Sequence, residues 1–347
     1  MDKKKLITSL VFIIIVGAVI ISLTVSKKSY AVGTTLVDTV KALNKGSSYG
    51  VGANGVYYTN SHEYRYIGVK VNNYVKFNND MYRIIGVFDG NSHGVSGTEL
   101  VKLIRARSLD GYSWGVHNTD SSTGTYFGYA NDWTGKSKPS PANLNVLLNE
   151  YFYNKTDTSS IYGDCANWTY YDNNNNSYRS MDCSRILAYG IDNSLRNYIE
   201  TVTWYLYGGD YNQSKQNFYL CERGGNSCTP SGQNQGAASV TSKIGLMYVS
   251  DYMYASGNFS VSDSITSTMQ FGINNWLNKA GFEWTITPSS LDDEGVMSIY
   301  QGSIASNSCI IPFDFRPTFY LKSSVYVTGG NGSFDNPYTI ACDNCTE

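Results

Sequence analysis

The strongest constraint on the fold lies between Trp276 and Leu321, a stretch that opens WLNKAGFEWTITP and closes on FRPTFYL. Phe282, Trp284 and Ile286 alternate with Glu283, Thr285 and Thr287, the period of two that sends successive side chains to opposite faces of a half-buried strand. Phe319 and Leu321 resume the alternation after Arg316-Pro317. The polar segment between them, Ser289 to Ser308, reads as a loop with little core of its own. A rigid sheet that presents an irregular loop is a display architecture, which points to recognition at a surface. Tyr300 in that loop and Arg316 at its end are candidate ligand contacts. For Arg316 the structural reading is favoured: extended before a proline, it ties the polar insert to the sheet through its five donors. Trp276 and Trp284 read as core, given the area each ring buries.

Upstream the pattern is also β. Tyr66 to Val71, Tyr74 to Phe77, Met81 to Phe88 and Leu100 to Ala106 are short β-branched or aromatic runs. Asn72-Asn73, Asn78-Asn79-Asp80 and Asp89-Gly90-Asn91 punctuate them as turns. Gly111 to Lys138 has no clean period and reads as a loop carrying Trp114, Tyr126, Tyr129 and Trp133. Two helices are predicted. Leu144, Leu147, Leu148 and Tyr151 fall on one face behind Ser140-Pro141, and Leu195, Tyr198, Ile199, Val202 and Leu206 repeat the spacing before Gly208-Gly209. The YYDNNNNSY insertion between them, with Tyr170 and Tyr171, has nothing to bury. After Gly329, GGNGSFDNPYTI places a turn between two β runs that close the sheet. The fold class expected is α+β: a mixed, mostly antiparallel sheet with two helices and long irregular loops.

The N-terminus sets the compartment. Lys3-Lys4-Lys5 precede twenty uncharged residues, Leu6 to Val25, enough to cross about 30 Å of hydrocarbon as a helix. The basic cluster before the run keeps the N-terminus inside and the rest outside. Ser29-Tyr30-Ala31 offers the competing reading, cleavage after Ala31 and secretion. Residues 1–28 are therefore an anchor or signal sequence. Residues 29–55 form a short amphipathic helix on Leu36, Val40 and Leu43, a stalk or lid, and a Gly/Ser linker. Residues 56–347 form the exported domain.

An exported chain oxidises its thiols, so seven cysteines suggest bridges with one left over. Cys221 pairs first with Cys228 across ERGGNS, and Cys165 with Cys183 at the base of the Asn-rich insertion. Cys342-x-x-Cys345 leaves Cys309 to join one of them or stay free; zinc at that C-x-x-C is the weaker alternative. Asp292, Asp293 and Glu294 are candidate oxygen ligands for calcium, although three adjacent loop acids are more often simply solvated. No other cofactor is implied. Catalytic signals are sparse. His62, His93 and His117 lie in polar, turn-like surroundings that read as solvated surface. GSSYG, GNSHG and GYSWG fit G-x-S-x-G, but none has the strand-then-helix context of a nucleophile elbow.

Net charge is −2 and nearly balanced, so a nucleic-acid footprint is not indicated. Thirty tyrosines among many Asn, Ser and Gly match the composition of adaptable binding surfaces and equally that of an extracellular β protein with polar turns. The blocks YRYIGVKVNNYVKFNNDMYRIIGVF, KIGLMYVSDYMYA, NWLNKAGFEWTITP and RPTFYLKSSV resemble, in this order, uncharacterised exported proteins of Gram-positive gut bacteria. Their modules are similar in outline to C-type-lectin-like and formylglycine-generating-enzyme-like domains. The resemblance covers about residues 50 to 341 and implies a ligand surface on a long irregular region; the calcium-ligand triplets of sugar-binding lectins are missing from the sequence. The expected function is a membrane-tethered extracellular module, not an enzyme, that binds a glycan, protein or matrix ligand through its insertions, with no nucleic-acid partner. A structural envelope or pilus-like component is the alternative. A cell-wall-acting enzyme built on Glu283 and Asp292 to Glu294 is the third reading.

Overall fold

The computed structural model describes residues 33–44, 50–51, 55–59, 62–115, 133, 143–155, 169–172, 177–180, 184–209, 213–224, 239–257, 271–290 and 295–345. The compact unit runs from Thr34 to Glu347. Leu6 to Val25 and Ala31 lie outside the described residues, and no described helix is long and apolar enough to cross a membrane.

Helix α1 (Leu36–Ala42) opens the unit. Thr35 caps it through the Asp38 N–H, and Leu36, Val37 and Val40 are buried. The Leu36 N–H donates to Val325 O at 2.8 Å, so this helix is part of the folded unit instead of a stalk ahead of it. Strands β1 (Gly50–Val51), β2 (Val56–Tyr58), β3 (Tyr64–Tyr66), β4 (Tyr74–Phe77), β5 (Asp80–Asp89) and β6 (Glu99–Arg105) follow. The β4–β5 hairpin turns on Asn78 and Asn79, with φ of 54° and 57°, the left-handed pair that a two-residue turn requires. The run predicted over Tyr66 to Val71 is a strand only at its start, because β3 ends at Tyr66.

Next come β7 (Leu109–Ser113), helix α2 (Asn143–Val146, continuing as a π-helical turn over Leu147–Tyr153), β8 (Thr169–Asp172), β9 (Ser177–Ser180), α3 (Ser184–Tyr189), β10 (Val202–Tyr205), α4 (Lys215–Cys221), β11 (Ser239–Ser242), β12 (Ile244–Gly245) and α5 (Val249–Ala255). The first predicted helix is present, with Leu144, Leu147, Leu148 and Tyr151 buried. The second is not. Asn193–Tyr198 is a single 3-10 segment, and Val202 and Trp204 then point inward from β10, which pairs with β11. TVTWY is β-branched and aromatic, and its period of two overrides the helical spacing that the same apolar residues also satisfy.

The chain ends in β13 (Phe282–Pro288), β14 (Gly295–Tyr300), β15 (Ser303–Ser308), β16 (Pro312–Phe315), β17 (Thr318–Leu321), β18 (Tyr326–Gly329) and β19 (Tyr338–Ala341). The structure is thus α+β with mostly antiparallel mixed sheets. The ten-stranded sheet is built on β5, which carries β6, β17 and β12 on one side and β3 and β4 on the other; β19 joins β4 in parallel and β18 closes that edge. A five-stranded sheet runs β15-β14-β13-β16-β7. The predicted loop Ser289 to Ser308 is therefore largely a hairpin. Gln301 and Gly302, both at positive φ, turn β14 into β15, and Val296, Met297, Ile299 and Ile304 are buried. Its Ser and Asn residues disguise the strands as a loop. Strand β13 is buried on both faces. Its polar residues are satisfied internally: Thr285 Oγ1 donates to Met297 O at 2.6 Å and Glu283 receives Arg316.

Candidate ligand groove

An open groove of about 680 Å³ lies where β4, the start of β5 and the β18–β19 connection meet, lined among others by Tyr74, Lys76, Arg83, Arg107, Phe334 and Asn336. Local chemistry builds it. The connection SFDNP carries a single apolar residue among turn formers, and Gly330 and Gly332 take φ of 83° and 77°. A Cβ at Gly332 would lie 2.5 Å from Asn72 O, so only glycine allows the loop to seat against the sheet. Four hydrogen bonds then fix its shape. Tyr74 N–H donates to Gly332 O at 2.8 Å and Asn331 N–H to Asn336 O at 3.0 Å. Ser333 N–H donates to Asn331 Oδ1 at 3.1 Å and Asn336 N–H to Ser333 Oγ at 3.2 Å.

On this pinned loop Phe334 is 63% exposed and meets the Tyr74 ring edge-on at 5.4 Å. The Arg83 guanidinium lies between the Tyr74 and Trp276 rings, 4.4 and 4.3 Å from their centroids. Its Nε donates to Asn73 Oδ1 at 2.8 Å and its Nη1 to Trp276 O at 3.1 Å. Burial pulls its pKa down to about 10, with nearby Arg316 acting in the same direction. Asp80, also in the wall, is held by Arg105 at 2.5 Å. An exposed ring, amide and hydroxyl side chains from Asn79, Asn336 and Thr339, and cations on a rigid frame form a surface that can stack on and hydrogen-bond a polar ligand.

The described residues predicted from sequence are placed elsewhere. Trp114 and Trp133 are buried against each other at 4.9 Å, and Trp114 Nε1 donates to Thr285 O; they are core, out of reach of a surface ligand. Tyr300 is half-buried and stacks on Phe282 at 3.8 Å. Arg316 is buried, its Nε and Nη2 gripping the two Glu283 oxygens and Nη2 also reaching Leu277 O. It is a buried structural side chain, but it joins Glu283 on β13 to the Leu277 backbone and does not tie the Ser289 to Ser308 segment to the sheet as expected from sequence. Tyr170 and Tyr171 sit on β8, paired with β9. Tyr126, Tyr129, Asp292, Asp293, Glu294, His117, Cys165, Cys183 and Cys228 lie outside the described residues. Cys221 is disulfide-bonded. Cys342 and Cys345 are joined, which removes both as zinc thiolates, and Cys309 is a buried thiol. Among the described residues no cluster of metal-ligating side chains occurs. GNSHG forms a 3-10 turn after β5, and GYSWG lies partly on β7.

The polar, turn-like surroundings of His93 suggest a solvated surface, but the structure buries it. Its Nδ1 lies 3.4 Å from Thr203 O and its Nε2 3.0 Å from Tyr320 Oη. Burial and the nearby Arg223 and Lys102 hold its pKa well below the ordinary range, so it is neutral. It borders a buried charge cluster that no local motif announces. Glu63 accepts from Arg65, Arg223 and the Tyr219 hydroxyl. Asp251 accepts from Lys102 at 2.5 Å, Arg65 at 3.4 Å and the Tyr248 N–H at 2.9 Å. Burial pulls the Lys102 ammonium down to about 8 against the Asp251 charge, and it raises the Glu222 carboxyl to about 7 despite hydrogen bonds from Thr287 and Ser250. These groups come from β3, β6, α5 and the end of α4, and they clamp both helices to the ten-stranded sheet. Gly86 makes room for the clamp: a Cβ there would lie 2.3 Å from Tyr64 O.

Comparison of the chain with protein-family models, with curated proteins and with solved structures finds no match.

Proposed function

We propose that this chain is a surface recognition module, tethered outside the cell by Leu6 to Val25, that binds carbohydrate in the groove of Tyr74 and Phe334. The observation that carries the reading is Phe334: a large ring left in water on a loop that four hydrogen bonds and two left-handed glycines hold still. An ordered exposed ring beside a polar wall costs little further entropy when a ligand arrives, which favours binding. Carbohydrate suits the wall better than an apolar ligand. The ring offers a face to the C–H surface of a sugar, and Asn79, Asn336 and Thr339 offer amides and a hydroxyl to its hydroxyl groups. The finer likeness to C-type-lectin-like modules belongs to the same proposal, with the ligand surface moved from the predicted insertions to the β18–β19 connection. The test is a glycan array probed with the full chain and with Phe334→Ala. Retention of defined glycans by the first and their loss by the second is expected; equal retention by both excludes the groove.

A further inference from the structure

We infer that the groove takes an acidic glycan, one bearing carboxylate or sulfate groups; this rests on the carbohydrate reading above and specifies its ligand. The observation is a charge imbalance. Lys76, Arg83 and Arg107 line the groove, and none of them forms an ion pair with any described residue. The one carboxylate in the wall, Asp80, is neutralised by Arg105. The nearest further acid in the sequence, Asp335, is exposed beside Phe334 and is not part of the lining. Elsewhere the fold matches its buried cations to carboxylates: Arg65 to Glu63 and Asp251, Lys102 to Asp251, Arg223 to Glu63, Arg316 to Glu283. Among the described residues the half-buried Arg196 also lacks a carboxylate and bonds Asn193 Oδ1 instead, but Arg83 is the one that lines the groove, beside two further cations without ion pairs.

Arg83 is the sharpest case. Two rings and the hydrogen bonds of Nε and Nη1 fix its plane, while Arg316 behind it adds repulsion. A planar guanidinium held in place presents its free edge to a carboxylate or sulfate at little entropic cost. Lys76 and Arg107 are exposed and can follow successive charges along a chain. The Phe334 ring then stacks on the sugar between them. Neutral sugars would leave the three like charges of the lining uncompensated; acidic sugars would neutralise them.

The experiment measures binding of the full chain in nonionic detergent to polygalacturonate and to chondroitin sulfate. The controls are fully methyl-esterified polygalacturonate and a desulfated, carboxyl-reduced chondroitin, which keep the sugars and lose the charge. At least one acidic probe is expected to bind ten times more tightly than its neutral counterpart and to lose about tenfold in affinity between 50 and 500 mM salt, because screening shortens the reach of exposed charges. The probe that binds identifies carboxylate or sulfate. Lys76→Glu with Arg107→Glu should abolish the preference without changing the circular dichroism spectrum, since neither side chain has a partner to lose among the described residues. Equal binding of charged and neutral forms, sensitive to Phe334→Ala, overturns the acidic ligand and leaves the carbohydrate groove standing. Binding of either form that ignores Phe334→Ala, or no binding of any of the four, overturns both.

Discussion

Replacing Glu222 by Gln should make the protein more stable in mild alkali and erase part of its pH dependence. Glu222 is buried at the end of α4, where Thr287 Oγ1 donates to it at 2.8 Å and the Ser250 N–H at 3.1 Å. Burial raises its pKa from 4.5 to about 7, and the neighbouring Asp251 charge adds to the rise. Between those values the folded protein holds a proton that the unfolded chain has released, so stability falls as pH rises. The slope is about 1.4 kcal/mol per pH unit, and the stabilisation present below pH 4.5 shrinks by about 3 kcal/mol by pH 7 and above. Gln cannot ionise and keeps an acceptor for Thr287. The Gln variant should therefore match the wild type near pH 5 and exceed it by about 3 kcal/mol at pH 8. His93 titrates with the opposite sign below its ordinary 6.5, so the quantity to plot is the difference between the two proteins. Urea unfolding followed by tryptophan fluorescence, with disulfides intact, measures it. A difference that is the same at pH 5 and pH 8 would refute the reasoning.

Three further outcomes follow from the same geometry. Arg316→Met leaves the Glu283 carboxylate buried without its partner and should cost about 3–5 kcal/mol in urea unfolding, far more than loss of an exposed pair. Gly86→Ala sets a methyl carbon 2.3 Å from Tyr64 O, where the β3 backbone leaves little room for relief; it should separate β3 from β5 and either lower the melting temperature by many degrees or prevent recovery of folded protein. Phe334→Ala removes an exposed ring and should shift stability by no more than about 0.5 kcal/mol, so that any loss of binding reports the groove alone.

Much of the sheet was legible because its strands announce themselves locally. Tyr74 to Phe77, Met81 to Phe88 and Leu100 to Ala106 fall on β4, β5 and β6, and Asn78-Asn79 is the turn expected. The failures have two causes. Where apolar spacing served two periods, as in Leu195 to Leu206, tertiary pairing of β10 with β11 decided for strand. Where a strand is buried on both faces or rich in Ser and Asn, as β14 and β15 are, composition hid it, whereas β13 announced itself by its period of two. The charge cluster was illegible for a different reason: Glu63, Lys102, Glu222 and Asp251 are distant in sequence, and only the fold brings them together. The polar neighbours of Trp114 and Trp133 suggest ligand platforms, yet their rings bury each other. Phe334 could have been found. It stands alone among Gly, Ser, Asp, Asn and Pro with no apolar neighbour in sequence to bury it, a signal that the β reading of the surrounding runs passed over.

The most direct test of the groove is oxidative footprinting of the full chain with and without a glycan retained on the array. The account predicts that Phe334 and Tyr74 become protected, while the exposed Ile273 and Val69, outside the groove lining, are modified at an unchanged rate. Protection at Ile273 or Val69 with Phe334 unaffected would place the ligand on another face and contradict it.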